Sequence, residues 1–133
     1  MPKINTNSFA KKTTLNELKK RGFDIKKISR DFLVNQKIIN VRGCNSDNRW
    51  ARKDRAIGWN RINPEKFDYL VCVSFNSNFK NVRYFIFSKE ETEKFPNVIW
   101  KNTPELKDLT LKQNDEESNR IIESSKDRWD KII

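Results

Sequence analysis

The polar and apolar positions alternate between short runs that read as distinct elements. Asn5 to Ser8 offer capping side chains before a helical stretch from about Phe9 to Arg21, and Gly22 is a natural stop. Phe23-Asp24-Ile25 then opens an extended segment. Two apolar, β-branched runs, Asp31 to Val34 and Lys37 to Arg42, flank Asn35-Gln36 and predict a hairpin. Gly43 to Asn48 reads as a polar loop, and residues 49–62 as a short helix or an ordered loop. The clearest strand signal is Tyr69 to Phe75, followed by a polar turn over 76–81 and a partner strand from Val82 to Phe87. The near-continuous apolar character of this pair predicts burial on both faces. Ser88 and Glu91 have capping-box spacing and predict a short helix that Pro96 must end. Residues 101–118 are polar and read as irregular. Ile121, Ile122, Trp129, Ile132 and Ile133 share one stripe at helical spacing and predict a final amphipathic helix.

This order predicts an α/β protein: a mixed β-sheet flanked by helices, forming a single domain over 1–133 with 98–133 as a C-terminal helical extension. The chain has 133 residues, within the common domain range. Hydrophobic and charged residues each make up 35%, and nine Phe, four Trp and two Tyr supply the bulk for a modest core. With no histidine, Ser-His-Asp and Cys-His nucleophile schemes and the usual histidine-containing zinc sites are excluded. Cys44 and Cys72 are too few for a disulfide framework or a four-thiolate metal site. The apolar runs are too short to span a membrane and no secretory signal opens the chain, so the expectation is a cytoplasmic protein without a membrane partner.

The net charge of +10 is unevenly placed. Residues 1–62 hold 16 Lys+Arg against 5 Asp+Glu, a balance of +11, whereas residues 63–133 hold 12 against 13. A basic excess confined to one half suits a phosphate backbone, because each neutralised phosphate releases condensed counterions. An ordinary solvated surface accounts equally for a run such as Lys19-Lys20-Arg21. Composition therefore points to a nucleic-acid partner without selecting DNA or RNA.

The predicted hairpin brings chemistry together. With a two-residue turn, Val34 faces Lys37, Leu33 faces Ile38 and Asp31 faces Asn40, with opposed β-carbons roughly 4.5–5.5 Å apart. Arg42, two residues beyond Asn40, projects from the same face. An acid, an amide and a permanent cation at one end of a hairpin suit a divalent metal and a phosphate. They suit a plain Asp–Arg bridge as well.

The stretch from Asp31 to Arg42 resembles the core motif of the PD-(D/E)xK nuclease superfamily: an Asp, a turn, then a strand ending in Glu/Gln-x-Lys. Further pieces resemble its small bacterial and phage branch: the Leu18 to Gly22 helix end, the FDYLVCVSF strand, the YFIFSKEE strand-to-helix join and the terminal Trp129-Asp130. The resemblance covers about residues 8–133. It implies a restriction-endonuclease-like mixed sheet and an Mg²⁺-dependent endonuclease acting on DNA. It also implies that Asp31 and the carbonyl of Val41 hold the metal, that Asn40 stands at the Glu/Gln position and that Arg42 replaces the catalytic lysine. Small nucleases of this fold often pair to cut two strands, which brings a homodimer into view.

The departures bear on catalysis. Asn40 is neutral and short, Arg42 cannot deprotonate, and Lys11 stands where this branch often has a metal-facing glutamate. Asp31 is then the single acidic ligand, so weakened cleavage or a catalytically inactive DNA- or protein-binding module of a restriction, phage or defence system are both expectations. The segment after the motif carries Arg49, Trp50, Arg52, Lys53 and Arg55, expected to contact nucleic acid: arginines on phosphates, tryptophan on a base. A core role for Trp50 is the alternative.

Overall fold

The computed structural model describes residues 6–28, 31–45, 55–76, 78–94, 107–112, 120 and 123–132. Helix α1 (Thr6–Lys20) buries Ala10, Thr14 and Leu18, spaced by four so that they lie along one side. It ends as anticipated at Gly22, whose φ of 85° lies in the left-handed region that favours glycine. Strands β1 (Ile25–Ile28), β2 (Asp31–Val34) and β3 (Lys37–Asn45) then form an antiparallel meander. Asn35 and Gln36 both take positive φ, 50° and 65°, the pattern of a type I′ turn whose twist matches the flanking strands.

Strand β5 (Tyr69–Phe75) lies parallel to β3, and β6 (Arg83–Ser88) pairs antiparallel to β5. The result is a mixed five-stranded sheet in the order β1-β2-β3-β5-β6. The parallel register is held at its start by Asp68: Ile38 N–H donates to its Oδ2 at 2.8 Å, and Asp68 N–H donates to the Ile38 carbonyl at 2.9 Å. Apart from half-buried Tyr69, every residue of β5 is buried, as its unbroken apolar run predicts.

Residues 49–62 and 101–118 depart from expectation. Strands β4 (Arg55–Ile62) and β7 (Lys107–Lys112) pair with each other in a separate two-stranded antiparallel sheet with irregular register. The part of 49–62 that is described is thus strand, neither helix nor loop, and part of the 101–118 stretch is regular. The 107–112 segment does alternate over Asp108–Lys112, but 55–62 breaks its alternation at Arg61, and their pairing spans about fifty residues of chain, which local pattern does not report. Strand β3 also continues through Gly43, Cys44 and Asn45, where a loop was expected, because β5 supplies them with a parallel partner.

The capping box forms as predicted. Ser88 N–H donates to Glu91 Oε1 at 2.9 Å, Glu91 N–H donates to Ser88 Oγ at 3.3 Å, and α2 (Lys89–Glu93) follows. Pro96 lies outside the described residues. The final stretch is not one amphipathic helix. Helical backbone at Arg120, Glu123 and Ser124 gives way to a bridge between Lys126 and Phe85, then to a 3₁₀ turn at Trp129–Lys131. Asp127, at φ 55°, breaks the helical path. Trp129 and Ile132 are nevertheless buried, against the sheet side that α1 covers.

Lys131 fastens this tail. Its ammonium donates to Glu91 Oε1 and Oε2 at 3.0 and 3.1 Å, to the Ile86 carbonyl at 2.9 Å and to Ser125 Oγ at 3.1 Å. Burial alone would raise the Glu91 carboxyl, but the hydrogen bonds from Ser88 and Lys131 outweigh it and hold the group below the usual carboxylate range. Tyr84 joins α1 to the sheet by a hydrogen bond with Thr13, and Arg21 lies 5.1 Å from the centre of the Trp129 ring.

Candidate functional site

Pleating divides the side chains of the five strands between two faces. Phe32, Val34, Ile39, Val41, Val71 and Val73 point to the side covered by α1. Gly43 lies on that side too, where a β-carbon would stand 2.7 Å from the Thr6 carbonyl oxygen and 3.0 Å from Ala10 Cβ. Only glycine permits so close a helix approach. Asn7, in the first turn of α1, accepts the Gly43 N–H at 2.9 Å where β3 has run beyond the end of β2.

Asp31, Asn40 and Arg42 belong to the opposite face. The observed hairpin pairs Val34 with Lys37, Leu33 with Ile38 and Phe32 with Ile39, so Asp31 and Asn40 come opposite as the two-residue turn predicts. Asn40 Nδ2 donates to Asp31 Oδ1 at 2.6 Å. This short contact between an amide and a carboxylate marks a charge-assisted hydrogen bond. Arg42, next along the same face, pairs in register with Cys72 of β5. All three polar side chains are half-buried, beside the partly covered Leu33 and Ile38.

Beyond Arg42 the face closes. Leu70, Cys72, Phe85 and Phe87 are fully buried with Ile62, the last residue of β4, and Phe67. Burial pushes the Cys72 thiol well above its ordinary range, and the Arg42 charge only partly opposes that. Cys72 is therefore a neutral thiol at pH 7. Its place beside Arg42 was missed in the sequence because it depends on the parallel β3–β5 register, although the two apolar runs that form it were visible.

The site thus combines one carboxylate, one amide and one guanidinium. Magnesium takes oxygen ligands in a near-octahedral shell and is usually anchored by one or two carboxylates together with phosphate oxygens. Here the single carboxylate is already engaged by the Asn40 amide, and α1, with Lys11, packs on the opposite face. Among the described residues no three His, Cys, Asp or Glu side chains gather to hold a metal ion. These side chains alone do not fit a resident Mg²⁺. Arg42 and the second N–H of the Asn40 amide are donors of the kind a phosphate takes, while the Asp31 carboxylate opposes an anion.

Arg49, Trp50, Arg52 and Lys53 lie outside the described residues. Arg55 begins β4, paired in register with Lys112. Val41 is buried on the α1 side, so its side chain is core and only its carbonyl belongs to the proposed ligand set. Among the described residues no helix is long and apolar enough to cross a membrane. No protein-family model, curated protein or solved structure matches this chain.

Proposed function

We propose that the protein binds nucleic acid, DNA in the first instance, through its basic first half, on an α/β scaffold of the restriction-endonuclease-like type. In this reading the Asp31–Asn40–Arg42 cluster contacts phosphate and does not hydrolyse it efficiently. The carrying observation is the bond from Asn40 to Asp31, which places acid, amide and guanidinium on one sheet face while leaving the cluster a single, already engaged carboxylate. The +11 balance of residues 1–62 supports a polyanionic partner. Arg49, Arg52, Lys53 and Arg55 are assigned to the phosphate backbone and Trp50 to a base. Binding through this segment weakens steeply with salt, and each arginine lost flattens that dependence.

The test is titration of labelled duplex DNA over a salt series, with Arg52→Ala and Arg55→Ala beside the natural chain. Both variants bind every sequence more weakly, with a smaller salt slope; unchanged affinity at low salt removes the segment from the interface. Parallel incubation with Mg²⁺ or Mn²⁺ separates binding from cleavage. Metal-dependent cutting that Asp31→Ala abolishes would make the site a nuclease centre, overturning the non-hydrolytic reading while keeping the residues. Equal cutting by the natural chain and Asp31→Ala would mark a contaminant.

A further inference from the structure

The turn between β5 and β6 holds a feature that the phosphate site does not use. Phe79 stands in it with φ 57°, a left-handed conformation that costs a bulky side chain energy and that glycine or asparagine would adopt more easily. Asn76 shapes the turn, its Oδ1 accepting the N–H groups of Asn78 and Lys80 at 3.0 and 2.9 Å. Phe79 as a residue is 36% exposed and is the one exposed large hydrophobic among the described residues. Its ring belongs to a cluster of three. Its centre is 4.7 Å from Phe9 and 5.7 Å from Phe75, nearly parallel to the latter at 26°. The sequence alone reads this stretch as an ordinary polar turn.

We infer that Phe79 is a base-stacking residue that receives an unpaired base of a single-stranded nucleic acid. A single exposed apolar side chain needs no special account on most surfaces, but this one combines backbone strain, rigid support and a favourable charge setting. Strain at an exposed position persists only where the surroundings enforce it, and such positions concentrate at binding sites. Phe9 and Phe75 hold the ring in place, so stacking costs little further side-chain entropy. The chain segments that supply the three rings are basic: residues 1–16 and 69–89 contain no Asp or Glu, and exposed Lys80 and half-buried Arg83 follow Phe79 in the chain. Acid-free, basic segments carrying a supported aromatic suit a polyanion with flat bases better than they suit an apolar protein partner. Stacking needs no hydrogen-bond code, so the contact accepts any base. This inference rests on the nucleic-acid-binding reading above and adds the strand type and the contact residue.

The test compares single-stranded and duplex oligonucleotides of one sequence, titrated against the natural chain, Phe79→Leu and Phe79→Trp. Leucine keeps an apolar cover over Phe9 and Phe75 but has no flat face. Phe79→Leu is expected to lose about tenfold in single-strand affinity with duplex affinity little changed, and Phe79→Trp to match or exceed the natural chain. Thermal midpoints of both variants distinguish lost contact from lost fold, and the Trp variant keeps the test decisive if Leu destabilises. Equal single-strand affinity for Phe79→Leu, weak binding by a folded Phe79→Trp, or a natural chain that takes duplex alone would overturn this inference and leave the broader reading standing. A natural chain that binds neither form overturns both.

Discussion

On the α1 side of the five-stranded sheet, Phe32, Val34, Ile39, Val41, Val71 and Val73 are sealed under the helix. On the other side the meander presents Asp31, Leu33, Ile38, Asn40 and Arg42, all half-buried, until Leu70, Cys72, Phe85 and Phe87 close the face. The same strands build both, so the difference is a matter of alternation: odd and even positions carry different duties. One face is filled to core density and fixes the fold. The other leaves polar groups within reach of solvent at the hairpin end, where a change of side chain costs the fold less.

That contrast can be broken at several points. The largest effect belongs to Leu18→Ala, which removes a fully buried side chain on the sealed face and should cost about 3 kcal/mol, read from denaturant unfolding. Gly43→Ala comes next, since its methyl group would lie 2.7 Å from a backbone oxygen of α1; the helix must shift, at a cost of about 2 kcal/mol. A loss as large from Asp31→Ala would erase the distinction between the faces. The expected cost there is about 1 kcal/mol, the value of one hydrogen bond with a charged partner at a half-solvated site.

The smallest test concerns acid. Glu91 is held below the usual carboxylate range in the folded chain, so its contribution to stability is complete above that range and is lost as pH falls through the lowered value. Thermal midpoints measured across acid pH should fall less steeply in Glu91→Gln than in the natural chain. Identical curves would remove the Lys131–Glu91 contact as a source of acid sensitivity.

Much of this arrangement is legible in the residues. The Asp31–Asn40 pairing follows once Asn35-Gln36 is read as a two-residue turn, because strand periodicity then fixes every partner. Strands β5 and β6 follow from two apolar runs, and the α2 start from Ser88 and Glu91. Contacts between segments far apart in the chain were out of reach. Strands β4 and β7 find each other across a stretch of chain that contains β5, β6 and α2, and nothing local in RWARKDRAIGWNRI marks a strand. The apolar stripe near the end has true helical spacing, yet Asp127 turns left-handed and Lys126 reaches Phe85. The spacing reported burial correctly for Trp129 and Ile132 and the wrong element. The hairpin brought the site residues together on paper, but which face the helix would occupy depends on Gly43 meeting Ala10, a contact between distant positions.

The bridge to Phe85 has a consequence for assembly. The five-stranded sheet has two edges, and an open edge invites pairing with another chain. At β1 the edge is short and carries exposed Lys26 and Lys27, a protection complete as soon as the strand exists. At β6 the edge is Arg83–Ser88, an apolar run that charge does not guard. It is shielded by later chain: Ile86 N–H donates to the Ser125 carbonyl at 3.0 Å, Asp127 N–H to the Tyr84 carbonyl at 2.9 Å, and Lys131 takes the Ile86 carbonyl. A chain growing from its N-terminus thus completes β6 some forty residues before the segment that covers it. During that interval this apolar strand has an unprotected margin, and a truncation before Ser125 would make the interval permanent.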